Sequence, residues 1–137
     1  MTILVTDSGF HTEERAWDFR SPDQLPVGQT GLAVELASDA DPTTLSDHLQ
    51  TIDLIRVNFP EFADGRGFTI ARVLRLMGYS GRIRASGHVI ADQYAMARRA
   101  GFDEVEIDDE IAARQPEEQW LRRANWKSHD YQALLRA

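Results

Sequence analysis

The apolar positions of this chain fall into two alternating periods from Gly31 onward. Short runs rich in β-branched residues, GLAVEL at 31–36, IDLIRVNF at 52–59, RIRASG at 82–87 and EVEI at 104–107, read as strands. Between them the apolar positions recur every three or four residues, the spacing of amphipathic helices. Asp41 and Pro42 suit the cap and first position of a helix that turns Leu45 and Leu49 inward. The helix after the glycine-bearing FADGRGFT stretch carries Ile70, Val73, Leu74 and Met77 on one side, with Arg72 and Arg75 facing away. Gly78 closes it as a left-handed residue followed by Tyr79, the order of a Schellman motif. A further helix is predicted from about Val89 to Ala100, closed by Gly101 and Phe102.

MGYSGRIRA and AGFDEVEI repeat one pattern of helix, glycine, aromatic, two residues and strand, with Gly78 and Gly101 23 positions apart. Strands alternating with helices at this interval predict an α/β fold with a small parallel sheet and right-handed crossovers. The arm at 1–30 is expected to lay a β-hairpin or single strand against the βα core at 31–107. The tail at 108–137 reads as helical, with Pro116 opening a segment through Trp120, Leu121 and Ala124. All of this fits one domain, since 137 residues is an ordinary single-domain length.

Two of the strands do not show the continuous apolar character of a sheet covered on both faces. Ile55, Val57 and Phe59 point one way, and Leu54, Arg56 and Asn58 the other. Ile83 and Ala85 likewise oppose Arg82, Arg84, Ser86 and His88. One sheet face is therefore polar and arginine-bearing. That suits a half-barrel, whose inner face meets a ligand or a second copy, or a flavodoxin-like sheet with one thinly covered side.

Composition narrows the chemistry. The chain has no cysteine, which removes disulfides, thiolate metal sites and cysteine-ligated iron–sulfur clusters. MTILVTDSGF lacks the basic and long apolar regions of a signal peptide, and no apolar run approaches membrane-spanning length, so the expected location is the cytoplasm. A net charge of −7 argues against a nucleic-acid partner. The charge is uneven: from Arg56 to Arg99 eight arginines oppose Glu61, Asp64 and Asp92, a local +5 that leaves −12 for the rest. Arg72, Arg75, Arg98 and Arg99 read as solvated helix residues.

Asp64-Gly65-Arg66-Gly67 is the candidate site. It is not a dinucleotide fingerprint, because Ile70 stands where the third glycine belongs, and no G-K-[ST] makes a Walker loop. A helix start still offers unpaired amides and partial positive charge, and Arg66 adds a full one. With Arg56 and Arg84 from neighbouring strands it would cradle a small oxyanion through guanidinium contacts. The alternative is that Asp64 caps the helix, Arg66 pairs with Glu61 and the glycines only shape the turn. His88, just after its strand, and Asp92, in the first turn of the next helix, form a candidate acid–base pair; a loop histidine beside an ordinary helix-start carboxylate is the alternative. His11, His48 and His129 show no metal-ligand spacing. No residue pattern specifies a cofactor.

NFPEFADGRGFTIARVLR, GYSGRIRASGHVIADQ and RRAGFDEVEI resemble a bacterial family, domain of unknown function 934, over roughly Gly31 to Gln132. Members carry the label of oxidoreductases of sulfite reduction, from being encoded beside the sulfite reductase of sulfur assimilation. The resemblance implies an accessory to that process rather than the reductase, whose iron–sulfur thiolates this chain cannot provide. Some relatives carry a cysteine before Gly-Phe-Asp, where this chain has Ala100. The small anion would then be sulfite, sulfate or a carboxylate. The alternatives are a non-catalytic partner that docks its arginine-bearing face on sulfite reductase or its electron donor, and a homodimer joined through the same face.

Overall fold

The structure is a computed structural model that describes residues 2–13, 15–61 and 65–126. Its centre is a seven-stranded sheet. The strands are β1 (Ile3–Thr6), β2 (Gly9–His11), β3 (Phe19–Arg20), β4 (Leu32–Leu36), β5 (Ile52–Phe59), β6 (Arg82–Gly87) and β7 (Glu104–Ile107). They lie in the order β2-β1-β7-β6-β5-β4-β3. From β3 to β7 every neighbour is parallel, while β1 is antiparallel to both β2 and β7. The expected α/β architecture is thus present. The arm does more than lie against it, since it contributes both edges of the sheet.

The strand order explains the polar face. From β3 to β7 the chain always steps in the same direction, and right-handed crossovers taken in one direction put every connecting element on the same side. This is the order of the half-barrel alternative; a flavodoxin-like sheet needs a reversal of direction to cover its second face. The covering helices are α1 (Arg66–Leu76), α2 (Tyr94–Ala100), α3 (Asp109–Arg114) and α4 (Glu117–Leu121). Val34, Leu36, Ile55, Val57, Phe59, Ile83, Ala85, Val105 and Ile107 form the sheet side of one buried cluster with Phe68, Ile70, Ala71, Leu74, Tyr94, Ala97, Phe102 and Trp120. Phe59, Phe68 and Phe102 meet in tilted and edge-to-face pairs with centroids 5.2–6.3 Å apart. A register shift between Leu32 and Ala33 leaves Asp53 without a direct partner, so Ile52 joins this core and Leu54 begins the opposite face.

Two predicted helices are shorter than their patterns suggest. After Asp41 the chain makes a single 3₁₀ turn at Pro42–Leu45. Asp41 does cap it, accepting from the Thr43 amide at 3.0 Å, but the Thr43 and Thr44 hydroxyls bond back to Asp41 at 2.6 and 2.9 Å and compete with helix propagation. The helix expected from Val89 begins only at Tyr94. The Ile90 amide is answered by Gln93 Oε1 at 3.0 Å and the Ala91 amide by Gln115 Oε1 at 2.5 Å, which hold the preceding residues in a 3₁₀ turn. Gly78 closes α1 as expected, with φ +96° and the Tyr79 amide bonded to the Leu74 carbonyl at 3.1 Å.

α1 buries Phe68, Ile70, Ala71 and Leu74, and Val73 and Met77 are half-exposed. The stripe turns this way because Gly67 presses the first turn onto the Phe59 ring, where a Cβ would collide with the ring carbons. Gly65 has open space around its Cα and an ordinary φ of −85°. Gly67→Ala is therefore expected to lower stability by about 1–3 kcal/mol through overpacking, and Gly65→Ala to leave it within about 0.5 kcal/mol. Urea denaturation of the two variants checks the contrast.

Candidate functional site

The face opposite the helices carries a layer of ion pairs. Glu35, Arg56, Arg84 and Glu104 occupy one register row across β4, β5, β6 and β7. Arg56 and Arg84 are direct neighbours, as their adjacent strands implied, and like charges opposite one another repel. Glu106 relieves this, accepting from Arg84 Nη1 at 2.9 Å and from Arg56 Nη1 at 3.3 Å. Glu35 takes the other edge of Arg56, at 3.0 and 3.2 Å. Glu104 accepts from Arg84 Nε at 2.6 Å and from Arg82 Nε and Nη2 at 2.9 and 2.8 Å. The side chain of Arg84 is 2% exposed, with Glu104 at 7% and Glu106 at 12%.

The arm covers this layer. β2 and β3 sit on opposite edges of the sheet, so residues 12–18 must cross it. The described residues of this crossing segment, 12–13 and 15–18, form a strap. Its Glu13 accepts from Arg84 Nη2 at 2.5 Å and Arg82 Nη2 at 3.1 Å. Arg15 stacks on Trp17, and Arg56 on Phe19, each at 3.7 Å from the ring centroid. Burial raises the Glu13 pKa, but bonds from the Arg15 amide, Arg82 and Arg84 outweigh it and bring the carboxyl down to about 2.

This arrangement corrects the expected anion cradle. Among the described residues three guanidiniums, Arg56, Arg82 and Arg84, pair with four carboxylates, Glu13, Glu35, Glu104 and Glu106, a net charge of one negative. The arginines of this face are thus paired with carboxylates rather than gathered into one positive patch. Arg56 and Arg84 also lie on the wrong side of the sheet to meet the helix start, because α1 packs on the Phe59 side. The carboxylates that answer the arginines were visible as Glu104 and Glu106 in EVEI and Glu35 in GLAVEL, each in phase with a polar face. Their pairing was not.

At the helix start, Gly65 is the N-cap residue and makes no side-chain cap bond; its carbonyl accepts from the Phe68 amide at 3.2 Å. Asp64 lies outside the described residues. Arg66 Nη2 donates to Ser38 Oγ at 3.1 Å, and Ser38 is buried. Arg66, Ser38, Asp39, Ala40, Pro42, Thr69, Ile70 and Val73 line a cleft of about 360 Å³ between the carboxyl end of β4 and α1. Ser38, Asp39 and Thr69 are residues the sequence did not single out. His88 follows β6, with its amide on the Phe59 carbonyl at 2.9 Å and its side chain exposed. Asp92 accepts from Arg123 at 2.7 Å. Among the described residues no group of three His, Asp or Glu side chains is placed to hold a metal ion.

Two helix arginines expected to be solvated are structural. Arg75 donates to the carbonyls of Tyr79, Gly81 and Gly101 and to Asp103, at 2.8–3.1 Å, joining the end of α1 to the loops before β6 and β7. Arg98 bonds the Phe102 carbonyl at 2.6 Å and pairs with Asp7 at 3.1 Å. Asp7 also accepts from the Tyr94 hydroxyl at 2.5 Å and Trp126 Nε1 at 3.2 Å, fixing the β1–β2 turn to the helical layer. Burial raises the Asp7 pKa, but these bonds hold it below the ordinary carboxylate value.

Removing a partner from a buried ion pair strands the remaining charge, typically at a cost of about 3–5 kcal/mol. Arg84→Met is expected to destabilise by that amount, and adding Glu104→Gln and Glu106→Gln to recover part of it, as measured by urea denaturation. Acid acts through Glu13. Its folded pKa lies below its ordinary value of 4.5, so its stabilisation is complete above about pH 4.5 and is lost as pH falls toward 2. Urea midpoints of wild type are expected to fall across that window, and Glu13→Gln to flatten the fall.

No helix among the described residues is long and apolar enough to cross a membrane. No curated protein matches the chain. The motifs around the Gly-Arg-Gly turn, β6 and β7 instead fall within residues 33–137, which match the family described as bacterial protein of unknown function (DUF934), and to that family the chain belongs.

Proposed function

We propose that the protein is an accessory of assimilatory sulfite reduction that holds a small sulfur oxyanion at the amino end of α1, acting beside sulfite reductase or its electron donor. The observation that carries this reading is the position of Arg66. It stands at the carboxyl ends of the parallel strands, where ligands of α/β sheets collect, on the first turn of an eleven-residue helix, and lines the cleft beside Ser38 and Thr69. The helix start contributes partial positive charge and amide donors, the guanidinium a full charge, and Thr69 a hydroxyl. Asp39 at the same cleft disfavours bulky or highly charged anions. The sulfur chemistry comes from the family resemblance, and the cleft is the place this fold offers for it.

A ligand at a hundred times its dissociation constant stabilises the folded chain by about 2.7 kcal/mol. Sulfite is expected to raise the thermal midpoint of wild type, and Arg66→Ala to abolish most of the rise. Equal responses in the two proteins, or none to sulfite or sulfate, would overturn the reading.

A further inference from the structure

The four carboxylates of the ion-pair layer are not held alike. Glu104 and Glu106 are strand residues whose side chains are 7% and 12% exposed, and Glu35 bonds Arg56 rather than Arg84. Glu13 hangs from the strap and can leave by rotating its own side chain into water. Three donors converge on it: the Arg15 amide on Oε1 at 3.3 Å, and Arg82 Nη2 and Arg84 Nη2 on Oε2 at 3.1 and 2.5 Å. Arg84 is fixed from behind by Glu104 and Glu106, so its Nη2 stays aimed at that position whether or not Glu13 is present. A cleft of about 450 Å³ opens at Arg82 and Arg15, lined also by Trp17, Asp53 and Asp103.

We propose that Arg82, Arg84 and the Arg15 amide form a carboxylate-binding site, occupied in the resting chain by Glu13 as a tethered stand-in, and that its ligand is a small monocarboxylate. The charge of the layer selects this class. Exchanging Glu13 for a monoanion leaves the net charge at one negative, whereas sulfate or sulfite dianion would add a second beside Glu104 and Glu106. A carboxylate also matches the paired guanidinium donors in shape. The adjoining cleft has room for the body of the acid, against the Trp17 ring. This site is on the opposite side of the sheet from Arg66 and does not depend on it.

The test is isothermal titration of wild type and Glu13→Ala with acetate, formate and sulfate. Glu13→Ala is expected to bind acetate and formate at least about tenfold more tightly than wild type, and, with Arg66→Ala added to remove the oxyanion cleft, to bind sulfate more weakly than either. Arg82→Met added to Glu13→Ala is expected to remove the binding, and Arg66→Ala to leave it unchanged, which separates this site from the oxyanion cleft. A folded Glu13→Ala that binds acetate and formate no better than wild type, or that prefers sulfate once Arg66→Ala has removed the oxyanion cleft, overturns the proposal. If Glu13→Ala does not fold, wild type decides. High acetate, compared with chloride at equal ionic strength, must then shift the Glu13 side-chain carboxylate resonance in 13C NMR as that group is released into water, and an unshifted resonance overturns the proposal.

Discussion

A guanidinium buried in the middle of a sheet must have its donors answered, and Arg84 imposes that requirement on everything around it. Its Nε, Nη1 and Nη2 are each answered by a carboxylate, from Glu104, Glu106 and Glu13. Two of these come from the neighbouring strand and one from a segment 71 positions away. Such a network is weak evidence for net stability, because desolvation offsets much of the attraction between its charges. What the network does set is a constraint on pairing: if β6 and β7 slipped from this register, or the strap crossed elsewhere, charges would be left buried without partners.

The requirement follows from topology. Strands added in one direction leave all the helices on one side, so the other face of the sheet receives no helix to cover it. An apolar face there would be an exposed sticky surface. The chain instead makes the face charged, neutralises it almost completely from within, and lays the strap over it with Trp17 and Phe19 as aromatic platforms for Arg15 and Arg56. The same topology separates the two places where an anion can be held. Arg66 belongs to the helix side and the carboxyl ends of the strands, and Arg82 and Arg84 to the strapped face.

That separation changes how the arginine excess between Arg56 and Arg99 is understood. It is not one positive patch. Arg75 and Arg98 are spent on carbonyls and on Asp103 and Asp7, joining α1 and α2 to the loops before β6 and β7 and to the β1–β2 turn. Arg56, Arg82 and Arg84 are spent on glutamates. Arg66 donates to Ser38 at the cleft between the carboxyl end of β4 and α1, on the other side of the sheet from these three.

Local periodicity and turn chemistry determined the parallel strands, the inward face of each, the Gly78 closure of α1 and the Asp41 cap, because these depend on residues within a few positions of one another. The alternation in IDLIRVNF and RIRASG even announced a charged face. What the face does with its charge was decided only in three dimensions. Arg56 meets Glu106 across 50 positions and Arg84 meets Glu13 across 71, and no local pattern encodes such distances. The place of Arg66 was decided the same way. An arginine one residue after a glycine looks the same in sequence whether its helix packs above the sheet or below it, and the crossover direction, a property of the whole chain, settled that it packs away from Arg56 and Arg84.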